Sequence, residues 1–259
     1  MLEPLLLALD FRTDVVRRFL FDDVIVEGAW VTIQVAVLAQ IIGISLGLGF
    51  ALMLVSRSRP LNVIAGFYVW FFRGTPVLLQ LLILYIGLPQ MVDDQTFTNE
   101  LTAFRAAIIA FGINEGAYMT EIVRAGILSV ESGQMDAAKS LGMRQMQAMR
   151  RIVLPQASRV VVPPTGNEFI AMLKNSSIAF TIGLVELTGA ARLIYSVNFR
   201  YLELLVVAAL WYLAFTTVFS ILQGEVERRL AFGDRERPTT FISRTIELLS
   251  GKRGTEMVK

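Results

Sequence analysis

Long apolar runs separated by short polar stretches dominate the chain, and five of them are long enough to be read as spans: Val24–Val55, Val63–Leu88, Phe104–Val130, Val160–Leu187 and Leu204–Leu222. A helix needs about 20 predominantly apolar residues to cross a hydrocarbon core about 30 Å thick, so the pattern predicts a membrane protein built of helices. The second run is too long for one straight span at about 1.5 Å per residue. It contains Arg73-Gly74-Thr75-Pro76, where the proline ring removes a backbone donor. A bent helix whose first part lies at the interface fits both facts. In the first run Gly43, Gly47 and Gly49 recur with Ser45 among them, a spacing that lets a second helix approach closely.

The polar connections alternate in charge. Ser56-Arg57-Ser58-Arg59-Pro60 is a basic turn, whereas the stretch from Met91 to Glu100 holds Asp93, Asp94 and Glu100 without a lysine or arginine. The stretch Ser132–Arg159 is basic again through Lys139, Arg144, Arg150, Arg151 and Arg159, and so is the tail through Arg228, Arg229, Arg235 and Arg237. Basic connections stay cytoplasmic, which predicts the N-terminus outside and the C-terminus inside. Arg192 and Arg200, in a connection this topology places outside, run against the rule. Three parts follow: a non-cytoplasmic segment 1–23, a transmembrane domain 24–230, and a flexible cytoplasmic tail 231–259. The apolar Leu5–Leu9 is short for a signal-peptide core and is flanked by Glu3 and Asp10, so the N-terminus is expected to be retained.

Composition agrees: 54% of the residues are hydrophobic and the mean hydropathy is +0.58, too apolar for a soluble globule of this length. The chain has neither cysteine nor histidine, which removes thiolate and imidazole ligands and weighs against metal or cysteine chemistry. A formal net charge of +2 carries little information beside the distribution of charge, and nothing in it points to nucleic acid.

Polar groups inside apolar spans are the informative ones, because a charge at a span's centre costs about 2.5–3.5 kcal/mol. The third run holds Asn114, Glu115, Tyr118, Glu121 and Arg124. Asn114, Tyr118 and Glu121 fall on one helical face, which is expected to turn away from lipid. Glu121 and Arg124, at i and i+3, either neutralise each other or serve a ligand. Glu115 has no basic residue three or four positions away, so its partner is water, another helix or a ligand cation. The fourth run is expected to break twice, at Val162-Pro163-Pro164 and at Lys174-Asn175-Ser176-Ser177. Unwound backbone at membrane depth survives only where protein or a watery cavity satisfies it, and such breaks accompany transporter binding sites. Asn167, Glu168 and Lys174 add polar groups there. Lys174 either meets a substrate carboxylate or snorkels to an interface. The candidate substrate-binding set is therefore Asn114, Glu115, Tyr118, Glu121, Lys174, Asn175 and Ser176.

Between the third and fourth runs stands Asp136-Ala137-Ala138-Lys139-Ser140-Leu141-Gly142, then nine residues, then Ile152-Val153-Leu154-Pro155. Met135–Leu141 is rich in helix formers, Gly142 suits a left-handed helix end, and Met143–Val153 reads as a second helix ending at Pro155. The arrangement closely resembles the cytoplasmic signature of ABC importer permeases: Glu-Ala-Ala, three residues, Gly, nine residues, Ile, one residue, Leu-Pro. Asp136 stands where the family has Glu. Arg73-Gly74-Thr75-Pro76-Val77-Leu78-Leu79-Gln80, Ala117 to Ile127, and Leu173 to Ser177 resemble the polar amino acid branch of that family.

The resemblance, spanning roughly Val26 to Glu225, implies a type I importer permease: all-α, about five transmembrane helices, and a cytoplasmic coupling helix within about 132–155. It implies an inner-membrane subunit that pairs with a second permease subunit, two ATPase subunits and an extracytoplasmic amino-acid-binding protein. The coupling set is Asp136, Ala137, Ala138, Leu141, Gly142, Ile152, Leu154 and Pro155, with Ala137, Ala138, Leu141 and the nearby methionines as the docking surface. No phosphate-binding GxxxxGK[ST] string occurs, so ATP and its magnesium belong to the partner ATPase, and the chain needs no cofactor. Two other readings are weighed. A passive channel or facilitator would tolerate the same buried polar groups but not explain the coupling segment. A membrane enzyme would need a nucleophile and base, which the sequence does not show.

Overall fold

The computed structural model describes residues 11–92 and 100–230, and every regular element among them is helical. Helix α1 is Thr13–Phe19 and α2 is Asp23–Val55. Asp22 starts α2 by accepting a hydrogen bond from the Val24 amide at 3.1 Å. At about 1.5 Å per residue α2 outreaches a hydrocarbon core. Helix α3, Arg59–Gly74, and α4, Val77–Leu82, meet at a break. A π-turn, Ile83–Gly87, carries α4 into α5, Leu88–Met91. The axes on either side of the break differ by 101°. The bend expected at Pro76 is therefore present and far sharper than a kink.

Helix α6, Ala103–Ser129, is the centre of the fold. Its buried residues, from Ala106 to Ile127, lie on all its faces, and it packs against α2, α3, α4 and the fourth apolar region. That position explains how a helix carrying Arg105, Glu115, Glu121 and Arg124 is tolerated. Among the described residues two helices, Asp23–Val55 and Tyr201–Leu230, are long and apolar enough to span by themselves, and up to four spans result if each of two bent pairs counts as one. The chain is membrane-spanning and all-α.

The cytoplasmic-signature region and the fourth run depart from expectation in continuity. Helix α7 is Ser132–Ser140, and Gly142 takes φ +79°, the left-handed end expected of it. Then α8, Gln145–Ala148, passes through a π-turn, Met149–Val153, into α9, Leu154–Asn175. Pro155 does not end a helix: it occupies the first turn of α9, where the wider π-turn ahead of it removes the need for its missing N–H. Nor do Pro163 and Pro164 break α9, which runs through both. Their rings free the carbonyls of Arg159 and Val160, two exposed residues that water or headgroups can reach. The Pro163 carbonyl accepts from Gln223 Nε2 at 3.0 Å.

The second expected break is real: α9 tightens into a 3-10 stretch, Ser176–Ile182, closed by Gly183 at φ +82°. Helix α10, Leu187–Asn198, follows at 47° to the preceding rod, and α11, Tyr201–Leu230, completes the described chain. Residues 231–259, Arg235 and Arg237 among them, and the acidic pair Asp93 and Asp94 lie outside the described residues.

Helices α2 and α6 approach each other closely along much of their length. A Cβ built on Gly43 would stand 2.4 Å from Glu115 Cγ, and one on Gly47 would stand 2.4 Å from Met119 Cβ. Gly112 and Gly116 of α6 answer from the other side against Ile42 and Leu46. Small residues at i and i+4 on both helices let the backbones nearly touch, as expected for Gly43 and Gly47, whereas Gly49 faces open space. Replacing Gly47 by Val should destabilise the protein by about 1–3 kcal/mol through overpacking. A thermal melt in detergent that matched the wild type would contradict this packing.

Candidate functional site

A cavity of about 480 Å³ opens between the α3–α4 bend, the middle of α6 and the end of α9. Four expected site residues line it: Asn114, Glu115 and Tyr118 from α6, and Asn175 from the end of α9. Arg73 and Glu168 line it too. The Arg73 guanidinium lies 5.1 Å from the centre of the Tyr118 ring, a cation–π contact that holds it over the cavity.

Its wall at the bend follows from backbone accounting. Pro76 has no N–H, so the Phe72 carbonyl loses the helical partner four residues on. Two side chains replace it: Asn114 Nδ2 donates to Phe72 O at 2.9 Å, and Gln80 Nε2 donates to the same oxygen at 3.0 Å. Gln80 Nε2 also reaches Thr75 O at 3.1 Å and Thr75 Oγ1 at 2.8 Å, and its own oxygen accepts from Asn114 at 3.1 Å. Thr75, Pro76, Gln80 and Asn114 thus form one closed polar junction.

Glu115 is only 3% exposed. Its Oε1 accepts from Gln40 Nε2 of α2 at 3.3 Å, so a neighbouring helix supplies one of the partners expected for it, and the cavity leaves the carboxyl open to a second. The other candidates are placed elsewhere. Glu121 Oε2 accepts from Arg124 at 2.8 Å, the self-neutralising pair of one helix, and is not among the cavity's lining residues. Lys174 is exposed, and the buried Ser176 donates its hydroxyl to Leu173 O at 2.8 Å.

Sequence reasoning passed over four buried or lining groups. Gln40 sits as one amide within an apolar run, and Arg73 lies inside a quoted string without a role. Glu186 is fully buried and caps α10, accepting from the Thr188 and Gly189 amides at 2.9 Å each and from the Tyr212 hydroxyl at 2.8 Å. The order Glu186-Leu187-Thr188-Gly189 carried that signal, since a side-chain acceptor ahead of free helix-end amides marks a helix start. Glu203 is buried near Arg200 at 3.6 Å and accepts from the Arg12 amide at 3.2 Å, which ties the start of α1 to α11.

At the other end of the molecule, the coupling set divides. Asp136, Ala137, Leu141 and Gly142 are exposed, Leu141 at 83%. Ala138 is 1% exposed, so it packs inward and does not belong to an outward docking surface as expected. Ile152 and Leu154 are half-buried and Pro155 is exposed. Met135 and Met149 pack on a cluster of Ala51, Met119, Val123, Ile127, Val153 and Ala157, which fastens this segment to α2 and α6. Among the described residues no group of three acidic, cysteine or histidine side chains is placed to hold a metal ion.

Comparison with known proteins agrees with this architecture. Residues 43–232 match the family described as binding-protein-dependent transport system inner membrane component. The probable amino-acid permease protein YxeN of Bacillus subtilis is 39% identical over 80% of this chain and 91% of its own length. The arginine transport system permease protein ArtQ of Bacillus subtilis is 38% identical over 81% and 94%. A chain from the crystal structure of an amino acid ABC transporter with histidines superposes with a TM-score of 0.76 at 40% identity, covering 85% of this chain and all of that one. The inward-facing MetNI methionine ABC transporter shares the fold, with a TM-score of 0.68 at 19% identity over 80% and 96%.

The chain belongs to the binding-protein-dependent transport system inner membrane component family, and its fold is related to that of type I ABC importer permeases. It is a non-catalytic, multi-pass membrane subunit. The junction at the bend is directly testable: Gln80→Leu leaves the Thr75 carbonyl without its side-chain donor and Phe72 with one fewer. It should cost about 1–3 kcal/mol, read as a lowered thermal midpoint, and an unchanged midpoint would count against the junction.

Proposed function

We propose that this chain is the permease subunit of an ATP-driven importer of polar amino acids, cationic ones among them. The observation that carries the reading is the cavity, in which one guanidinium and two carboxylates face a space of about 480 Å³. Pockets for small ligands run from about 300 to 1,000 Å³, and an α-amino acid presents the complementary charges. Arg73 meets the carboxylate and the acidic side chains meet the cationic groups. Asn114, Tyr118 and Asn175 supply uncharged contacts, with Glu121, Lys174 and Ser176 beside the pathway. Relatives named for arginine and glutamine transport support the substrate class.

The remaining architecture is proposed with it. Residues 24–230 form the permease domain, and α6, enclosed by its neighbours, is the fifth span beside the two long apolar helices and the two bent pairs. Residues 1–23 lie outside and 231–259 form a cytoplasmic tail, because Arg57, Arg59, Lys139, Arg144, Arg150, Arg151, Arg228 and Arg229 gather at one end. The segment 132–155 is the coupling element: Ala137, Leu141 and Met146 offer an exposed apolar surface to the ATPase groove. A second permease subunit and an external amino-acid-binding protein complete the importer.

Proteoliposomes holding the permease, its ATPase and its binding protein should take up amino acids only with ATP inside. Uptake that continues without the ATPase would replace this reading with that of a facilitator. Gly142→Val should separate the two activities. Nothing lies within 4 Å of a Cβ there, but φ is +79°, so the cost of about 1–2 kcal/mol is confined to the local backbone. The assembled variant should keep hydrolysing ATP while uptake falls about tenfold or more, and uptake at the wild-type rate would exclude Gly142 from coupling.

A further inference from the structure

Gln40 lies across a helix boundary from the cavity and is itself 5% exposed. One turn along α2, Gly43 leaves room for the Glu115 stem, since a Cβ there would fall 2.4 Å from Glu115 Cγ and 2.8 Å from its Cβ. Gln40 and Gly43 thereby form a slot: the glycine admits the side chain, and the amide fixes its head through Nε2 to Oε1 at 3.3 Å. The same nitrogen rests 3.8 Å from Met119 Sδ. Gln40 Oε1 is the one enclosed side-chain oxygen or nitrogen without a hydrogen-bond partner among the described residues. The amide turns its N–H₂ to the carboxyl and leaves its own carbonyl unpaired, so it offers a donor, which favours the ionised carboxylate over the protonated acid.

The charges in the cavity have an order. Arg73 lies over the Tyr118 ring on one side of the cavity, whereas Glu115 is seated against Gly43 at the α2–α6 contact and Glu168 lines the wall formed by α9. A ligand with its carboxylate at Arg73 and its α-ammonium beside Glu168 directs its side chain toward Glu115.

Building on the amino acid reading, we propose that Gln40 is a positioning residue for side-chain selectivity. It holds the Glu115 carboxylate in place and charged, so that the site favours an amino acid with a cationic side chain over its neutral isostere. Gln40 touches no ligand itself and acts through Glu115.

The test is equilibrium binding of radiolabelled L-arginine and of L-citrulline, its neutral isostere, to the purified permease–ATPase complex without binding protein. Wild type should bind arginine at least tenfold tighter. Gln40→Met, nearly the same shape without the amide, should weaken arginine about five- to tenfold, the scale of one ordinary net hydrogen bond since the effect is relayed through Glu115, and leave citrulline within about twofold. Glu115→Gln should erase the preference, and adding Gln40→Met to it should change nothing further. If Gln40→Met fails to fold, Gln40→Asn withdraws the amide by one methylene and should show the same selective loss. Equal weakening of both ligands, or additive effects in the double variant, would make Gln40 a structural residue and overturn the proposal. ATP-driven uptake of other amino acids by a wild type without preference for arginine would overturn it while leaving the importer reading intact. Binding of neither probe, together with no amino acid uptake, would overturn both.

Discussion

The near-contact of α2 with α6 is the constraint on which the site depends. Glycines on both helices let the axes close until side-chain stems of one helix touch backbone of the other. A charged residue in a span is affordable only when neighbouring helices exclude lipid from it and offer hydrogen bonds. Close approach supplies both to Glu115. Loosening the pair by one methyl group at Gly43 or Gly47 would shift the carboxylate and the cavity wall together, because no flexible side chain stands between them to absorb the change.

The bend at Thr75–Pro76 meets the same requirement by other means. A proline inside a span frees a carbonyl that lipid cannot satisfy. Here the debt falls on Gln80 from the following helix and Asn114 from α6. Since Asn114 adjoins Glu115, the group that closes the broken backbone sits beside a carboxyl that lines the cavity. The α3–α4 elbow is therefore held in register with the cavity-lining residues of α6, and movement of either must be felt by the other.

What could be read from the chain beforehand follows from this physics. Apolar run length gave the positions of α2 and α6 to within a residue and the start of α11 to within three, because burial in lipid makes hydropathy a good guide, whereas α11 runs eight residues past its apolar stretch into the polar Gln223–Arg229. Gly142 and Pro76 were legible for a similar reason, each having few backbone options. Pro155, Pro163 and Pro164 were misread as helix ends, since their cost depends on what lies opposite: a π-turn in one case, and the exposed carbonyls of Arg159 and Val160 in the other. Within the site, Asn114, Glu115, Tyr118 and Asn175 were found as polar anomalies. Ala138 was assigned the wrong face, and Gln40 was overlooked because its role arises only when α2 meets α6, a contact 75 residues apart in sequence.

The unbroken course of the chain after Gly142 gives the proposed coupling segment a mechanical route into the fold. Had Pro155 and the proline pair broken the helix, motion at the cytoplasmic elbow would have been lost in hinges. Instead one helical rod runs from Gln145 to Asn175 and carries Glu168, Met172 and Asn175 into the cavity wall. At its near end, Met149 and Val153 are seated against Ala51, Met119 and Val123, so the rod is packed on the α2–α6 pair at the level of the elbow. A push delivered beside Leu141 therefore has two routes to the site: along α9 to the cavity residues it bears, and through the methionine-lined cluster to Met119, which is one turn from Glu115 on α6. Both routes are made of packed helices, so a small displacement is transmitted rather than absorbed. Under the proposed function, that continuity is what would let a subunit without a nucleotide site of its own respond to a motor docked beside Leu141.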